Sequence, residues 1–245
     1  MALRIAFDLD GVLVDMESEL IRQSELLFGE AMTRRLLERP DLERGDEPLG
    51  KQDSTSEIVT DNAPHLAKLN MTSRQRRRLW QQVQTVDNFW ESLKETEPGM
   101  VQRLATLAAV RQWEIIFLTT RPETAGLTAQ VQSQRWLEAH GFALPSVFVV
   151  RKSRGRIAAA LGLDIVVDDR HENCLDVVSD SKARAILVWR GDDKQLPATA
   201  KRLGIGVVKS VGECLAILLQ IDSAPTGQPS VIDRVKKFFG IKEPD

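Results

Sequence analysis

Six short apolar runs, separated by stretches of helical character, constrain the fold more than any other feature of the sequence. They are Leu3 to Phe7, Glu114 to Leu118, Val147 to Val150, Asp164 to Val167, Ala185 to Trp189 and Ile205 to Val208. Runs this short, rich in Val, Ile and Phe and with little polar alternation, suit strands covered on both faces, as in a parallel sheet. Helical segments at about Met100 to Val110, at about Thr128 to His140 closed by Gly141, and at Ile157 to Leu161 lie between them. That rhythm predicts an α/β domain with a three-layer parallel sheet.

The first strand is followed by a helix over Asp15 to Phe28, which Gly29 can stop, and then the rhythm breaks. Residues 30–97 contain no convincing strand. They hold a polar loop with Pro40, Gly45, Pro48 and Gly50, then a helix opened by Thr72-Ser73-Arg74-Gln75, which fits a capping box. The expected organisation is a core of residues 1–29 and 98–221 with a small helical cap at 30–97 inserted after the first strand-helix unit. Residues 222–245 follow as a Ser/Pro/Gly-rich linker and an amphipathic helix. In that helix Val231, Val235, Phe238 and Phe239 alternate with Arg234, Lys236 and Lys237. It either packs back on the domain or offers a basic amphipathic surface, at 231–239, to a partner.

Composition narrows the function classes. The 245 residues carry 33 Lys plus Arg against 35 Asp plus Glu, a net charge of −2, so no general field attracts nucleic acid or an anionic membrane. Cys174 and Cys214 belong to no metal or disulfide spacing, which fits reduced thiols in the cytosol. The apolar start is interrupted by Arg4 and runs into Asp8, unlike a signal peptide, and no run approaches the roughly 18 apolar residues of a membrane span. A cytoplasmic protein is expected.

The chemistry sits at strand ends. Side chains two apart on a strand share a face, so Asp8 and Asp10 share one space, and crowded carboxylates call for a cation. A hard, oxygen-preferring ion such as Mg²⁺ is the better match, because no His or Cys stands nearby in sequence. Another strand delivers Thr119, Thr120, Arg121 and Pro122, and a third delivers Asp168 and Asp169. Ligands of open α/β sheets bind outside the carboxyl ends of the strands, so these groups are expected to converge. With the basic cluster Arg151, Lys152, Arg154 and Arg156 they suit phosphoryl chemistry, in which acids hold metal and hydroxyl and cation hold phosphate oxygens.

Four segments in order carry a resemblance: Asp8-Leu9-Asp10-Gly11-Val12-Leu13-Val14-Asp15, Phe117-Leu118-Thr119-Thr120-Arg121-Pro122, a Lys before a helix, and Ile165-Val166-Val167-Asp168-Asp169-Arg170. The chain resembles the haloacid-dehalogenase-like (HAD) phosphohydrolases over about residues 3 to 215, with the insertion where that superfamily places its cap. Asn88-Phe89-Trp90-Glu91-Ser92-Leu93, then Glu97-Pro98-Gly99, and the Asp-Asp-Arg ending are similar to the cytosolic-type 5′-deoxyribonucleotidases. The resemblance implies a Rossmann-like HAD core and a Mg²⁺-dependent phosphatase acting on a small phosphorylated substrate, with a 5′-nucleotide as candidate. It implies that Asp8 is the nucleophile, forming an aspartyl-phosphate, and that Asp10 is the acid/base whose carbonyl also ligates the metal. Thr119 would bind phosphoryl oxygens, Lys152 would neutralise charge, and Asp168, with Asp169 beside it, would complete the metal shell. Thr120 competes with Thr119, and Arg154 competes with Lys152; Arg121 is a further phosphate-binding candidate.

Phe89 and Trp90 are either a stacking platform for a base or anchors of the insertion. The run Arg74 to Arg78 reads first as a solvated helix face, and His65, His140 and His171 read as structural. Two other classes fit the same residues: a non-catalytic binding module on this fold, and a phosphotransferase or nucleic-acid-end phosphatase.

Overall fold

A computed structural model of the protein describes residues 2–38, 69–223 and 238–240. The strands are β1 (Arg4–Asp8), β2 (Val14–Asp15), β3 (Lys94–Glu95), β4 (Glu114–Thr119), β5 (Ser146–Val149), β6 (Ile165–Asp168), β7 (Arg184–Val188) and β8 (Gly206–Val208). The six strands expected from the apolar runs form one sheet in the order β5-β4-β1-β6-β7-β8, while β2 and β3 pair separately. Every neighbour in the large sheet is parallel. All of its carboxyl ends therefore lie on one edge. Asp8, Thr119 and Asp168, the last residues of three adjacent strands, stand side by side there.

The chain divides into two compact units, Met1–Val14, Glu95–Thr119 and Leu137–Asp245 forming the first, and Asp15–Lys94 with Thr120–Trp136 the second. In the first unit, alternate residues Ala6, Ile116, Leu118, Val166, Ala185 and Leu187 of the sheet share a core with Ala158, Cys174 and Val177. Those last three come from α6 (Arg154–Leu161) and α7 (His171–Asp180). Positions one residue off, such as Ile5, Phe7, Phe117, Val167 and Ile186, are buried as fully. The inner strands β4, β1, β6 and β7 thus lose contact with water on both faces, and each fully buried apolar side chain contributes about 1.5–3 kcal/mol, while Phe148 of the edge strand β5 stays exposed. The helices α4 (Met100–Arg111) and α9 (Val211–Asp222) pack on one another, and α9 reaches β7 and β8.

In the second unit α1 (Met16–Phe28) packs against α2 (Glu30–Glu38) and α3 (Ser73–Thr85). The capping box of α3 forms as expected: the Gln75 amide donates to Thr72 Oγ1 at 3.3 Å, and the Thr72 amide donates to Gln75 Oε1 at 2.9 Å. The bounds of this unit differ from the expected 30–97. Helix α1 joins it because the side Leu20, Gln23 and Ser24 bury is turned to its fellow helices, with Ser24 and Thr33 hydroxyls 3.0 Å apart. Segment 120–136 joins it because its backbone bonds there, Asn88 N to Ala125 O at 2.9 Å and Ala125 N to Gln84 O at 2.8 Å. The expected polar loop around Pro40 to Gly50, and His65, lie outside the described residues.

Helix α9 extends to Asp222, so the expected linker starts after it, and residues 224–237 lie outside the described part. Of the expected terminal helix, Phe239 is buried beneath the Arg184 guanidinium, 4.9 Å from its ring centroid, and the Phe238 ring leaves no room for a Cβ at Gly206. These two aromatic side chains thus pack on the first unit. The remaining residues of the candidate partner surface lie outside the description. Cys174 and Cys214 are buried free thiols, and among the described residues no helix is long and apolar enough to cross a membrane.

Helices α6 and α7 meet closely at a glycine near the start of α6. A Cβ on Gly155 of α6 would run into the Asp176 carbonyl of α7, and the Gly155 amide donates to Asp176 Oδ2 at 3.0 Å. Overpacking at a rigid backbone contact costs about 1–3 kcal/mol. Gly155→Ala is accordingly expected to lower unfolding free energy by about that amount in urea titrations; a change below about 0.5 kcal/mol would show that the helices part freely.

Candidate active site

Three strand-end segments and the start of α6 supply the site in the first unit. Asp8 closes β1, and a turn over Leu9 to Val14 follows, in which Gly11 adopts φ 84°, a value that side chains with a Cβ rarely take. Within it Leu13 N and Val14 N both bond Leu9 O, at 2.9 and 2.8 Å, and Gly11 N bonds Val14 O at 2.9 Å. This compact turn holds Asp10 beside β4. The buried Thr119 hydroxyl donates to Asp10 Oδ2 at 3.2 Å.

Arg154 is the first residue of α6, opened by Ser153, whose Oγ accepts the Arg156 amide at 3.1 Å. Its side chain is only 3% exposed. Nη2 donates to Asp8 Oδ1 at 2.6 Å, and Nε lies 3.7 Å from Asp168 Oδ2. The remaining Nη1 is buried with no hydrogen-bond acceptor among the described residues. A buried charged donor left unmatched costs stability, so its natural complement is an anionic oxygen. Lys152, the alternative for this place, is exposed, and so are Arg151 and Arg156. Arg154, and not Lys152, is thus the cation that meets the acids, because here the first residue of α6 is turned inward while the loop before it faces water. Arg also differs from Lys in offering a planar fork that spans two carboxylates at once.

Asp168 is held from the other side. The Arg170 amide donates to its Oδ1 at 2.9 Å, and Asn173 Nδ2 lies 3.1 and 3.0 Å from its two oxygens. Asn173 is absent from the sequence expectations because it sits on α7, a helix that the sequence reading did not anticipate.

The electrostatics are those of crowded acids. Burial, then repulsion from Asp168, pushes the Asp8 carboxyl well above the usual range; Arg154 opposes this, and Asp169 and Asp10 add to it. Burial also raises Asp169 well above that range, with repulsion from Asp168 and Asp10. Asp168 is raised by burial, against the pull of Arg154, the Arg170 amide and Asn173. One guanidinium does not balance these acids. A divalent cation would, and the donors are all oxygens, as a hard ion requires. Among the described residues no three acidic, His or Cys side chains gather into a ligand set of their own.

Other sequence candidates are placed elsewhere. Thr120 and Arg121 fall in the second unit. Arg121 is buried there, donating Nη1 to Ser133 Oγ at 2.9 Å with its guanidinium 4.9 Å from the Trp90 ring centroid. Trp90 donates Nε1 to Pro122 O at 3.0 Å and its amide to Gln132 Oε1 at 3.0 Å, and Phe89 packs edge-on against it at 4.9 Å. Both rings are fully buried. The stacking platform for a base is therefore corrected: these aromatics are packing groups, with no open ring face.

No family model and no curated protein matches the chain by sequence. Solved structures do match by shape. A provisional β-phosphoglucomutase from Thermotoga maritima superposes with TM-score 0.51 at 17% identity, over 89% of this chain and 99% of that one. A HAD family hydrolase from Deinococcus radiodurans R1, with phosphate and sodium bound, gives 0.51 at 14% identity, over 93% and 99%. A dehalogenase in an intermediate complex gives 0.52 at 12% identity, over 88% and 96%. The fold is that of the HAD-like hydrolases. At these identities the likeness concerns fold alone, and the deoxyribonucleotidase resemblance gains nothing from it. Within a HAD-like fold, Asp8, Asp10, Thr119, Arg154 and Asp168 share the edge where β1, β4 and β6 end.

An anionic oxygen would satisfy the unmatched Nη1 of Arg154. In calorimetric titration with inorganic phosphate, Arg154→Met is expected to weaken binding about tenfold to a hundredfold, the value of a charge-assisted hydrogen bond, while Lys152→Met stays within about twofold. Equal losses in the two variants would return the role to the loop.

Proposed function

We propose that the protein is a phosphoric monoester hydrolase that works through an aspartyl-phosphate on Asp8. The observation that carries this is the buried Arg154 fork, which binds the Asp8 carboxylate through Nη2 and keeps Nη1 buried and unmatched, a donor that an anionic oxygen would satisfy. Asp8 stands at the end of β1 and accepts the Nη2 donor of Arg154.

In this reading an Asp8 oxygen attacks phosphorus while the bond from phosphorus to the ester oxygen breaks, and Asp10 gives that oxygen its proton. Water then attacks the same phosphorus, Asp10 takes its proton, and the Asp8–phosphorus bond breaks to release inorganic phosphate. Thr119 orients Asp10 through its hydroxyl, and Arg154 stabilises charge on the phosphoryl oxygens. Asp8 and Asp168, with Asp10 and Asp169 nearby, would hold Mg²⁺, which when bound screens the phosphate charge and keeps the acids ionised. The substrate is a small phosphate monoester. A 5′-nucleotide stays within that class, but the aromatic pair that would have read its base is spent on packing.

Asp8→Asn preserves shape and removes the nucleophile. With an aryl phosphate and Mg²⁺, turnover is expected to fall by more than about a thousandfold while the circular dichroism spectrum is retained. Chelation with EDTA is expected to stop the wild-type reaction and added Mg²⁺ to restore it. Unchanged turnover in the variant would remove Asp8 from the chemistry.

A further inference from the structure

Arg190 follows β7, and its side chain reaches the turn that carries Asp10. Nη1 donates to the carbonyl of Gly11, while Nη2 donates to that of Val12 at 3.3 Å and to Glu97 Oε1 at 2.8 Å. Glu97 is itself fixed at the start of α9, accepting the Val211 amide at 2.7 Å and the Gly212 amide at 3.1 Å. Burial alone would raise the Glu97 carboxyl, but the Val211 amide, Arg190 and the Gly212 amide hold it below the usual range, so the pair is charged at neutral pH.

An accounting of the turn's carbonyls shows what this pair supplies. Leu9 O accepts two backbone amides, Val14 O accepts Gly11 N, and Leu13 O accepts Thr96 N at 2.8 Å. The carbonyls of Gly11 and Val12 instead receive a side chain, the fork of Arg190. These are the two residues next after Asp10. Gly11, at φ 84°, has the widest backbone freedom in the turn, so the limb that departs from Asp10 is the one least restrained by its own chain.

We propose that Arg190, anchored by Glu97, is a positioning residue that locks the Gly11–Val12 limb of the turn and thereby aims Asp10 at the leaving oxygen. This rests on the reading of Asp10 as proton donor to the departing group. A guanidinium fork can meet two successive carbonyls and a carboxylate together; a Lys ammonium, a point charge, cannot hold the same plane. Water can replace the lost donors at this half-exposed site, so the effect is on aim more than on stability.

The test uses two esters with the full chain and Mg²⁺. p-Nitrophenyl phosphate leaves as an acidic phenol that needs little protonation, whereas glycerol 3-phosphate leaves as an alkoxide that needs a proton. Arg190→Ala is expected to lower kcat/KM, which reads only the steps up to departure of the alcohol, for the glycerol ester by about tenfold to a hundredfold, part of the usual worth of general acid catalysis, and to change kcat/KM for the aryl ester less than about threefold. Amide exchange at Leu13 and Val14 should quicken. Arg190→Lys is expected to recover only part of the loss. Glu97→Gln, which keeps an acceptor for the Val211 amide but loses the ion pair, should show the same selectivity in weaker form. It carries the test if Arg190→Ala fails to fold. Equal loss on both esters, or none, with an active wild type overturns the positioning role alone. A wild type that hydrolyses neither ester overturns the phosphatase reading as well.

Discussion

A single guanidinium buried among carboxylates is the interaction around which the site is arranged. Arg154 meets Asp8 directly and approaches Asp168, yet burial still raises both acids, and repulsion from Asp168 adds to the rise at Asp8. Such a cluster is costly in a folded chain, because removing charges from water is repaid only by close pairing. Its incomplete balance, more acid than base with a donor left over, is what the proposed phosphate dianion and divalent cation would complete.

The fold supplies this arrangement through parallel alignment and a close helix crossing. Because β4, β1 and β6 are adjacent and parallel, Thr119, Asp8 and Asp168 need only be the last residues of their strands to become neighbours. Arg154 reaches them from the first position of α6, and α6 sits where it does because Gly155 lets it lie against the α7 backbone. The same α7 offers Asn173 to Asp168. Packing density and catalytic geometry are thus set by the same contacts, with a glycine where a side chain would force them apart.

Much of the fold is legible in the sequence because strands buried on both faces must be apolar throughout. All six runs become strands, with ends shifted by a residue at most, and the capping box of α3 forms as its residue types require. The helices α7 and α9 were less legible. Their polar and apolar residues mix near loops, and only contact with the sheet selects which side is buried. The unit boundary was misjudged for a related reason: α1 follows the first strand in sequence, but its buried side is committed to α2 and α3. The acids at strand ends were legible as a charge cluster, whereas the choice between Lys152 and Arg154 was not, since both are cations within one short stretch.

By itself, the sequence determined the alternation of strand and helix, the placement of Asp8, Asp10, Thr119 and Asp168 at strand ends, and the demand of those acids for positive charge. These follow from local rules: residue burial along a strand, side-chain alternation and like-charge repulsion. Only the tertiary structure decided that Arg154 is the cation that meets Asp8, that Phe89 and Trp90 are buried against other side chains, and that Arg190 with Glu97 grips the turn after Asp10. Those outcomes depend on which distant segments meet. A guanidinium, an indole or a carboxylate has the same chemistry wherever it falls in the chain, and its role is set by the neighbours that folding brings within hydrogen-bonding reach.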